Sequence, residues 1–370
     1  MREVAAPEAV RLAVDGYRIL DVRELVEWNA GRIPGATLVP LAEFAARIGD
    51  VAPDRSQPLL VHCAHGVRSN RAARHLDALG YRDVVSLRDS LAGWRAAGGA
   101  WEGPVSLLTE AQQRRYSRQL LMPEIGAEGQ RRLLDSRVLL VGAGGLGSPA
   151  ALYLAAAGLG SIGLVDDGAV EESNLQRQVL HTTDRIGMGK TASARATLAA
   201  LNPEVQVTEH PEHLDAGNVE RLIGDYHVIV DGSDNFETRY VLNDAAVRLR
   251  RPLVHGSVYR WDGQITTILP FDGPCYRCIF PAPPPPELAP DCAVAGVAGV
   301  LPGLIGVLQA TEVLKLRLGV GETLAGRLLT IDAAGATFSE VRVARDPACP
   351  ACGIAAAERV PLLPGAAARA

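Results

Sequence analysis

The sequence predicts an α/β protein made of two successive domains. Its 370 residues exceed the size of one ordinary domain and suit two or three. Short strand-like and helix-like segments alternate early in the chain, and a second alternation starts at Val138. Between them, residues 97–104 are mostly small or structure-breaking, as expected of a linker. We therefore predict a first domain over 1–103, a linker and the start of a helix over 104–116, a second domain over 117–354 and a tail over 355–370.

Composition excludes several classes of function. Apolar residues make up 48% of the chain, enough for a packed core, and the net charge of −5 argues against nucleic acid or an anionic membrane as partner. The N-terminus has no apolar stretch typical of a secretory signal. The most apolar segment, 293–308, contains Pro302 and four glycines and is shorter than the ~20 residues of a membrane span. We interpret it as buried helical core and expect a cytoplasmic protein.

Three strand-like runs and one helix organise the first domain. The runs, 17–22, 59–62 and 84–87, are rich in aliphatic residues. Apolar residues recur at helical spacing over 68–79, and Gly80 is a typical helix stop. Cys63 therefore lies between the end of a strand and the start of a helix. Successive backbone N–H groups in such a loop converge on the sulfur and stabilise a thiolate or persulfide anion.

Residues 9–102 resemble a rhodanese domain. The resemblance rests on the loop from Cys63 to Ser69 and, upstream of it, on the segments 20–23 and 31–36 and on Glu27. In this family a loop with four residues between cysteine and arginine, here Cys63 to Arg68, is typical of sulfur transfer, whereas phosphatase relatives use a wider loop with five. The resemblance implies that Cys63 is catalytic and carries sulfur as a persulfide, received from a donor such as a cysteine desulfurase.

A glycine-rich turn opens the second alternation. An apolar run leads directly into Gly-Ala-Gly-Gly-Leu-Gly, in which Gly142, Gly144 and Gly147 match the spacing G-x-G-x-x-G and Gly145 adds a fourth glycine. Such turns let phosphate oxygens approach the N–H groups of a helix N-terminus. Asp166 ends the next strand, nineteen residues after Gly147, where a carboxylate accepts hydrogen bonds from ribose hydroxyls. This pattern predicts a nucleotide site without identifying the nucleotide.

Charged residues further along favour ATP over a dinucleotide. Arg177 and Lys190 supply two cations, which an ATP-cleaving site needs because charge develops on the phosphates. Asp234 and Asn235 follow another apolar run, and open α/β sheets bind ligands at the carboxyl ends of their strands. We expect Asp234 to hold Mg²⁺.

Residues from about 112 to 353 resemble the ubiquitin-activating-like adenylyltransferases of the MoeB/ThiF type. The resemblance rests on the segments 115–119, 142–147 and 173–178, on Lys190, Asp234 and Asn235, and on two Cys-x-x-Cys pairs. It implies adenylation of the C-terminal glycine of a small β-grasp sulfur-carrier protein with a Gly-Gly end. It also implies a homodimer in which Arg118 reaches the partner's site as an arginine finger. The ATP-site residues implied by the motifs are Gly142, Gly144, Gly145, Asp166, Ser173, Asn174, Leu175, Gln176, Arg177, Lys190, Asp234 and Asn235, with Arg177 and Asp234 also catalytic.

The six cysteines have unequal settings. The pairs Cys275/Cys278 and Cys349/Cys352 have the spacing that binds zinc, and two pairs complete a closed tetrahedral site typical of structural Zn²⁺. Cys292 stands alone after a proline-rich segment, near the start of a predicted helix that would lower its pKa. In the resembled family a cysteine in this setting is proposed to attack the acyl-adenylate or a persulfide. A small packing residue is the other interpretation of Cys292.

Together these features predict a rhodanese α/β domain followed by a Rossmann-like, ubiquitin-activating-type adenylyltransferase domain with a four-cysteine zinc site. One half activates a carboxylate and the other carries sulfur, so the product is a thiocarboxylate. The carrier could serve molybdopterin synthesis, thiamine synthesis or another thiolation pathway. Two alternatives are a dinucleotide-dependent oxidoreductase, favoured only by the glycine turn and Asp166, and a non-catalytic sulfur-relay scaffold.

Overall fold

The computed structural model describes residues 1–103, 107–285 and 296–357. The chain forms two compact units, Met1–Leu107 and Leu108–Ala370. Both alternate helices with strands, which confirms the predicted α/β class. Within the described ranges, no helix has the length and apolar character needed to cross a bilayer.

The first unit is built around a parallel five-stranded sheet. Its central strands are buried on both faces, as parallel sheets covered by helices require. Leu59 and Val61 face one apolar cluster while Leu60, between them, faces the other. The elements in chain order are β1 (Arg2–Val4), α1 (Ala6–Val14), β2 (Arg18–Asp21), α2 (Leu25–Asn29), β3 (Thr37–Leu38), α3 (Phe44–Val51), β4 (Leu59–His62), α4 (Val67–Ala78), β5 (Val84–Leu87) and α5 (Leu91–Ala96). The strand order across the sheet is β1-β5-β4-β2-β3.

The second unit contains an eight-stranded mixed sheet. Its elements in chain order are α6 (Glu110–Arg115), α7 (Ser117–Leu120), α8 (Gly126–Leu134), β6 (Arg137–Val141), α9 (Gly147–Ala156), β7 (Ser161–Val165), α10 (Lys190–Leu201), β8 (Gln206–His210), α11 (Val219–Ile223), β9 (Val228–Asp231), α12 (Phe236–Arg248), β10 (Leu253–Tyr259), β11 (Asp262–Ile268), α13 (Tyr276–Ile279), α14 (Val300–Leu318), β12 (Arg327–Asp332), β13 (Thr337–Arg342) and α15 (Ile354–Ala357).

The topology of this sheet creates a ligand crevice. The strand order is β13-β12-β11-β10-β9-β6-β7-β8, and the five strands from β8 to β10 are parallel. The chain leaves β6 toward β7 on one side and later returns to β9 on the other. Ligands bind at such a switch point, outside the carboxyl ends of the strands. The residues that follow β6, β7 and β9 therefore converge.

Two helices differ from their predicted extents. The helix whose start is predicted within 104–116 is capped by Thr109 but broken at Tyr116, whose ring is buried and whose hydroxyl accepts a hydrogen bond from the Asn202 amide at 2.9 Å. Tertiary packing of this ring overrides the local helical pattern. The helix predicted within 293–308 begins only at Val300, and residues 293–295 lie outside the described part.

Candidate active sites and metal centre

The Cys63 loop is closed by a residue that must be glycine. Gly66 has a φ of +85°, and a Cβ there would lie 2.3 Å from the carbonyl oxygen of Arg88. This turn brings the Gly66 N–H to 3.1 Å from the Cys63 Sγ. The Sγ is also 3.6 Å from the Ser69 hydroxyl, which donates to the carbonyl of Gly66. The sulfur is thus held at the start of α4, and Cys63 is only 2% exposed.

Two opposing effects act on the pKa of Cys63. Burial alone raises it, because a thiolate loses hydration. Hydrogen bonding with the Ser69 hydroxyl and hydrogen bonds from the backbone N–H groups of Ser69, His65 and Arg68 lower it, and the net pKa is below the ordinary thiol value. The loop therefore favours a thiolate, the nucleophilic form of cysteine.

Arg68 is held by a carboxylate from another element. Its Nη1 and Nη2 each lie 2.7 Å from one oxygen of Glu27, on α2. Both side chains are partly exposed, and the hydrogen bonds from Arg68 lower the pKa of Glu27 to about 2. Behind them, Arg23 pairs with buried Asp21 at 2.6 Å and donates to the carbonyl of Glu27. The sequence motif contained these residues, but their pairing was not predicted.

A cavity of about 310 Å³ opens at the switch point of the second unit. This volume lies at the lower end of the range of small-molecule sites. The predicted site residues that line it are Gly142, Gly144, Gly145, Asp166, Arg177, Lys190, Asp234 and Asn235. Of the remaining predicted residues in the described part, Ser173, Asn174, Leu175, Gln176 and Arg118 are not among those lining it.

The glycine turn is closed too tightly for side chains. Gly142 has a φ of +98°, and a Cβ at Gly147 would lie 1.9 Å from the carbonyl oxygen of Gly142. The Asp166 carboxylate accepts hydrogen bonds from the Ala143 N–H at 2.9 Å and the Gly168 N–H at 2.8 Å. Lys190 approaches the same carboxylate at 3.7 Å. Asp166 thus holds the turn while facing the cavity.

The 173–178 segment positions the Arg177 guanidinium, and most of its residues do not line the cavity. A 3-10 turn spans Glu172–Asn174. The Arg177 Nη2 donates to the Asn174 side-chain oxygen at 2.9 Å, and its Nη1 donates to the Ser173 carbonyl at 3.4 Å. Arg177 itself reaches the cavity. Ser173 and Asn174 therefore act through Arg177.

The turn that carries Asp234 is fixed by buried groups. The Asp231 carboxylate accepts from the Ser233 N–H at 3.0 Å and its hydroxyl at 2.6 Å, and it lies 2.7 Å from the His255 Nδ1. Burial raises the pKa of Asp231, but the hydrogen bond with His255 and the other partners lower it by more. The net pKa is therefore below the ordinary value. Asn235 caps α12 by accepting from the Thr238 N–H at 2.8 Å. Asp234 is consequently presented on a rigid turn.

Arg239 is a cavity residue that the sequence motifs do not predict. This arginine lies on α12, is largely buried and lines the cavity. It donates to the Ser233 carbonyl at 3.1 Å, and its Nε is buried without a hydrogen-bond partner among the described residues. The available signal was an arginine one turn after Asp234 and Asn235, on a helix that otherwise buries mostly apolar residues. The cavity thus has a third cation beside Arg177 and Lys190.

The four paired cysteines form one cluster. Their Sγ atoms all lie within 4.8 Å of one another. The Sγ–Sγ distance is 4.0 Å between Cys275 and Cys278, 3.6 Å between Cys275 and Cys349, and 3.4 Å between Cys278 and Cys352. Zinc–sulfur bonds of about 2.3 Å imply tetrahedral edges of roughly 3.8 Å, so the four sulfurs fit a zinc ion. Hydrogen bonding lowers the pKa of Cys352 to about 5, and the largest contribution comes from Cys275. Arg345 supports the cluster by donating to the carbonyls of Cys352 and Phe271, both at 2.8 Å.

Two predicted catalytic residues stay untested by this geometry. Cys292 lies outside the described residues. Arg118 is exposed on α7. The proposed contribution of Arg118 to a partner subunit stays a prediction.

Comparison with known proteins identifies both halves. Residues 116–351 match the ThiF family, and residues 6–97 match the rhodanese-like domain. The chain belongs to the ThiF family. Its first unit is a rhodanese-like domain, as the resemblance of the Cys63 loop implied.

Relatives of the ThiF-family chain include named enzymes. The SAMP-activating enzyme E1 of Haloferax volcanii is 53% identical over 246 residues, covering 66% of this chain and 91% of that protein. The sulfur carrier protein adenylyltransferase of Thermus thermophilus is 50% identical over 250 residues, covering 66% and 92%. The adenylyltransferase and sulfurtransferase MOCS3 of Drosophila ananassae is 50% identical over 239 residues, covering 64% of this chain and 53% of that protein.

Solved structures share the fold. The E. coli protein MccB crystallised with ATP has a TM-score of 0.57 and 21% identity, covering 77% of this chain and 81% of that one. The complex of MccB with N-formylated MccA has a TM-score of 0.59 and 23% identity, covering 68% and 77%. At these identities the similarity concerns the fold alone.

Proposed function

We propose that this chain adenylates the C-terminal glycine of a small β-grasp sulfur-carrier protein with ATP and converts it to a thiocarboxylate with sulfur held at Cys63. The observation that carries the proposal is the presence of both sites on one chain. One is a glycine-turn cavity with three cations and Asp234, and the other is a thiolate-stabilising cysteine loop. An adenylate is the activated carboxylate that a sulfur nucleophile can displace. We assign the sulfur step to residues 1–103 and adenylation to 117–354.

The cavity residues suit the adenylation step. Backbone N–H groups of the glycine turn and the α9 N-terminus would receive phosphate oxygens, and Arg177, Lys190 and Arg239 would offset their charge. A carboxylate oxygen of the carrier's glycine attacks the α-phosphorus, and the bond to pyrophosphate breaks. Mg²⁺ prefers oxygen ligands and would be held by Asp234, where it would neutralise phosphate charge.

The Cys63 loop suits the sulfur step. The Cys63 thiolate takes the outer sulfur of a persulfide donor such as a cysteine desulfurase, and the donor leaves as a thiolate. The resulting persulfide attacks the adenylate carbonyl, AMP leaves, and an acyl disulfide forms. A second thiol then attacks the Cys63 sulfur of this disulfide, the thiocarboxylate leaves, and a new disulfide joins Cys63 to the attacking thiol. A dithiol reductant of the reducing compartment then restores both thiols before the next turnover. Cys292 is our candidate for the attacking thiol.

The remaining assignments follow from the chemistry. Zn²⁺ bound by Cys275, Cys278, Cys349 and Cys352 would be structural, because four thiolates leave no open coordination position. Arg118 would act in a homodimer, across the subunit boundary. Thiolate and persulfide chemistry requires a reducing compartment, so we place the protein in the cytoplasm.

The decisive experiment identifies the carrier. The purified chain is incubated with ATP, a persulfide donor and each small β-grasp protein ending in Gly-Gly from the same organism. Mass spectrometry should detect replacement of one carboxylate oxygen by sulfur in at least one carrier, only when ATP is present. Absence of carrier-dependent ATP–pyrophosphate exchange with every carrier would contradict the proposal.

A further inference from the structure

The guanidinium group of Arg68, at the end of the Cys63 loop, is already neutralised. Arg68 makes two parallel hydrogen bonds of 2.7 Å to Glu27, the geometry of a strong bidentate ion pair. Arg68 also interacts favourably with the Cys63 thiolate. Glu27 stays ionised at neutral pH because Arg68 lowers its pKa to about 2. Arg68 and Glu27 together therefore present no net charge to a sulfur donor.

Two further arginines, Arg23 and Arg88, are also paired. Arg23 lies 2.6 Å from the carboxylate of Asp21 and is buried with it. Arg88, whose carbonyl contacts the loop at Gly66, lies 3.7 Å from the carboxylate of Asp89. Arg23, Arg68 and Arg88 thus each have a carboxylate within 4 Å. A donor with two negative charges would meet no uncompensated guanidinium among Arg23, Arg68 and Arg88.

Exposed aliphatic side chains flank this neutral pair. Leu25 and Val26 immediately precede Glu27 on α2 and are 60% and 76% exposed. Val67 immediately precedes Arg68 on α4 and is 78% exposed. These three branched apolar residues, Leu25, Val26 and Val67, are exposed next in sequence to the paired residues, whereas Cys63 itself is buried, and we define them as the apolar rim. Covering apolar surface of this kind with a partner's surface stabilises the complex.

We propose that Glu27 is a specificity-determining residue that makes Cys63 accept sulfur from a protein-bound persulfide in preference to thiosulfate. The inference rests on the proposed role of Cys63 as sulfur carrier. In the favoured step, Cys63–S⁻ attacks the outer sulfur of R–S–SH, the new S–S bond forms at Cys63, and R–S⁻ leaves. With thiosulfate the same attack releases sulfite, and three negative charges gather at the loop instead of one. The neutral Arg68–Glu27 pair disfavours that accumulation, and the apolar rim contacts the donor protein.

The test compares two donors in single-turnover loading of Cys63. The donors are thiosulfate and a cysteine desulfurase carrying a persulfide, and loading is followed by peptide mass spectrometry at Cys63. In Glu27→Gln the carboxylate charge is removed and Arg68 becomes a net cation. We expect loading from thiosulfate to rise roughly tenfold relative to loading from the protein persulfide, the effect of about one unit of charge near the reacting atoms.

Three further variants keep this result interpretable. Glu27→Asp retains the charge and should retain the wild-type preference, even if both rates fall. Glu43→Gln removes a matched exposed partner of an arginine, Arg47 at 2.7 Å on α3, and should change neither rate. Val26→Ser should slow loading from the protein donor roughly threefold and leave thiosulfate unaffected, because only a protein surface covers the rim.

The outcomes separate this inference from the proposed function. If neither donor loads Cys63 in the wild-type chain, the proposed function itself is wrong. If the wild-type chain loads equally well from both donors, or Glu27→Gln leaves the ratio of rates unchanged, only the specificity role of Glu27 is overturned. An equal rise in the ratio for Glu27→Asp would also overturn it, since the charge is retained there.

Discussion

The Cys63 loop and the nucleotide cavity are built on the same local geometry. They differ in whether their polar groups already have hydrogen-bond partners. In both, a parallel strand leads into a turn that contains a glycine with positive φ, and the chain then enters a helix. In the Cys63 loop the Gly66 N–H and Arg68 already have partners, and the sulfur is buried. In the cavity, the Nε of Arg239 and the Oε1 of Gln178 are buried without partners within the described residues.

The difference reflects how each site holds its anion. The Cys63 Sγ is part of the chain and stays in the loop even when the outer persulfide sulfur is transferred, so the protein can satisfy the loop's donors permanently. A nucleotide enters and leaves, so its site must keep hydrogen-bonding groups available, which costs stability in the ligand-free chain. If this is correct, changes in one unit should leave the other unit's chemistry unaffected.

The largest expected effect comes from Cys63→Ala. Removing the nucleophile should abolish sulfur loading of the first unit, because no other group in the loop can form a persulfide. Carrier-dependent ATP–pyrophosphate exchange should stay within about twofold of wild type. Wild-type thiocarboxylate formation in this variant would show that sulfur takes another route.

Asp234→Ala tests the cavity in the same way. We expect ATP–pyrophosphate exchange to fall roughly 10²- to 10³-fold, the usual cost of losing one transition-state electrostatic contact. Loading of Cys63 should not change. Asp225→Ala, which alters an exposed carboxylate just before β9, is the matched control. A normal thiocarboxylate yield with Asp234→Ala would favour the sulfur-relay scaffold.

Metal removal should affect the second unit alone. Cys352→Ser leaves three thiolates, and we expect zinc to fall from about one ion per chain to well below one. Unfolding of the second unit should become easier by roughly 3 kcal/mol or more, since site formation is coupled to folding. Metal analysis and thermal unfolding measure both effects. A wild-type chain without zinc would contradict the predicted site.

The smallest effect concerns the ionisation of Cys63. The pKa of this thiol is below its ordinary value in the folded chain, so more thiolate is present near neutral pH than in the unfolded chain, and this advantage is lost as pH falls. Ser69→Ala removes one stabilising hydrogen bond and should move the pH midpoint of Cys63 alkylation upward. Alkylation near pH 6 should slow roughly two- to fivefold. A midpoint that moves downward would show that burial, not the hydroxyl, dominates.

Features within short stretches could be predicted from the sequence. The α/β class and both family assignments were predicted correctly, because strand runs, glycine turns and Cys-x-x-Cys spacings are local patterns. The family motif assigns residues 173–177 to the ATP site, whereas of these the structure brings only Arg177 to the cavity, together with Gln178, which was not predicted. Local pattern identified the segment but not which side chains turn inward.

Local sequence pattern is enough to locate each chemistry: Cys63 before a helix, glycines after β6, and two cysteine pairs. How those groups are tuned depends on contacts between distant parts of the chain. The Arg68–Glu27 pair joins residues 41 positions apart, and Asp231 meets His255 across adjacent strands. Arg239 and the break at Tyr116 depend likewise on distant partners. The physical reason is that hydrogen bonding and burial act between groups brought close in space, and one-dimensional spacing reports only the contacts made within a single turn or element.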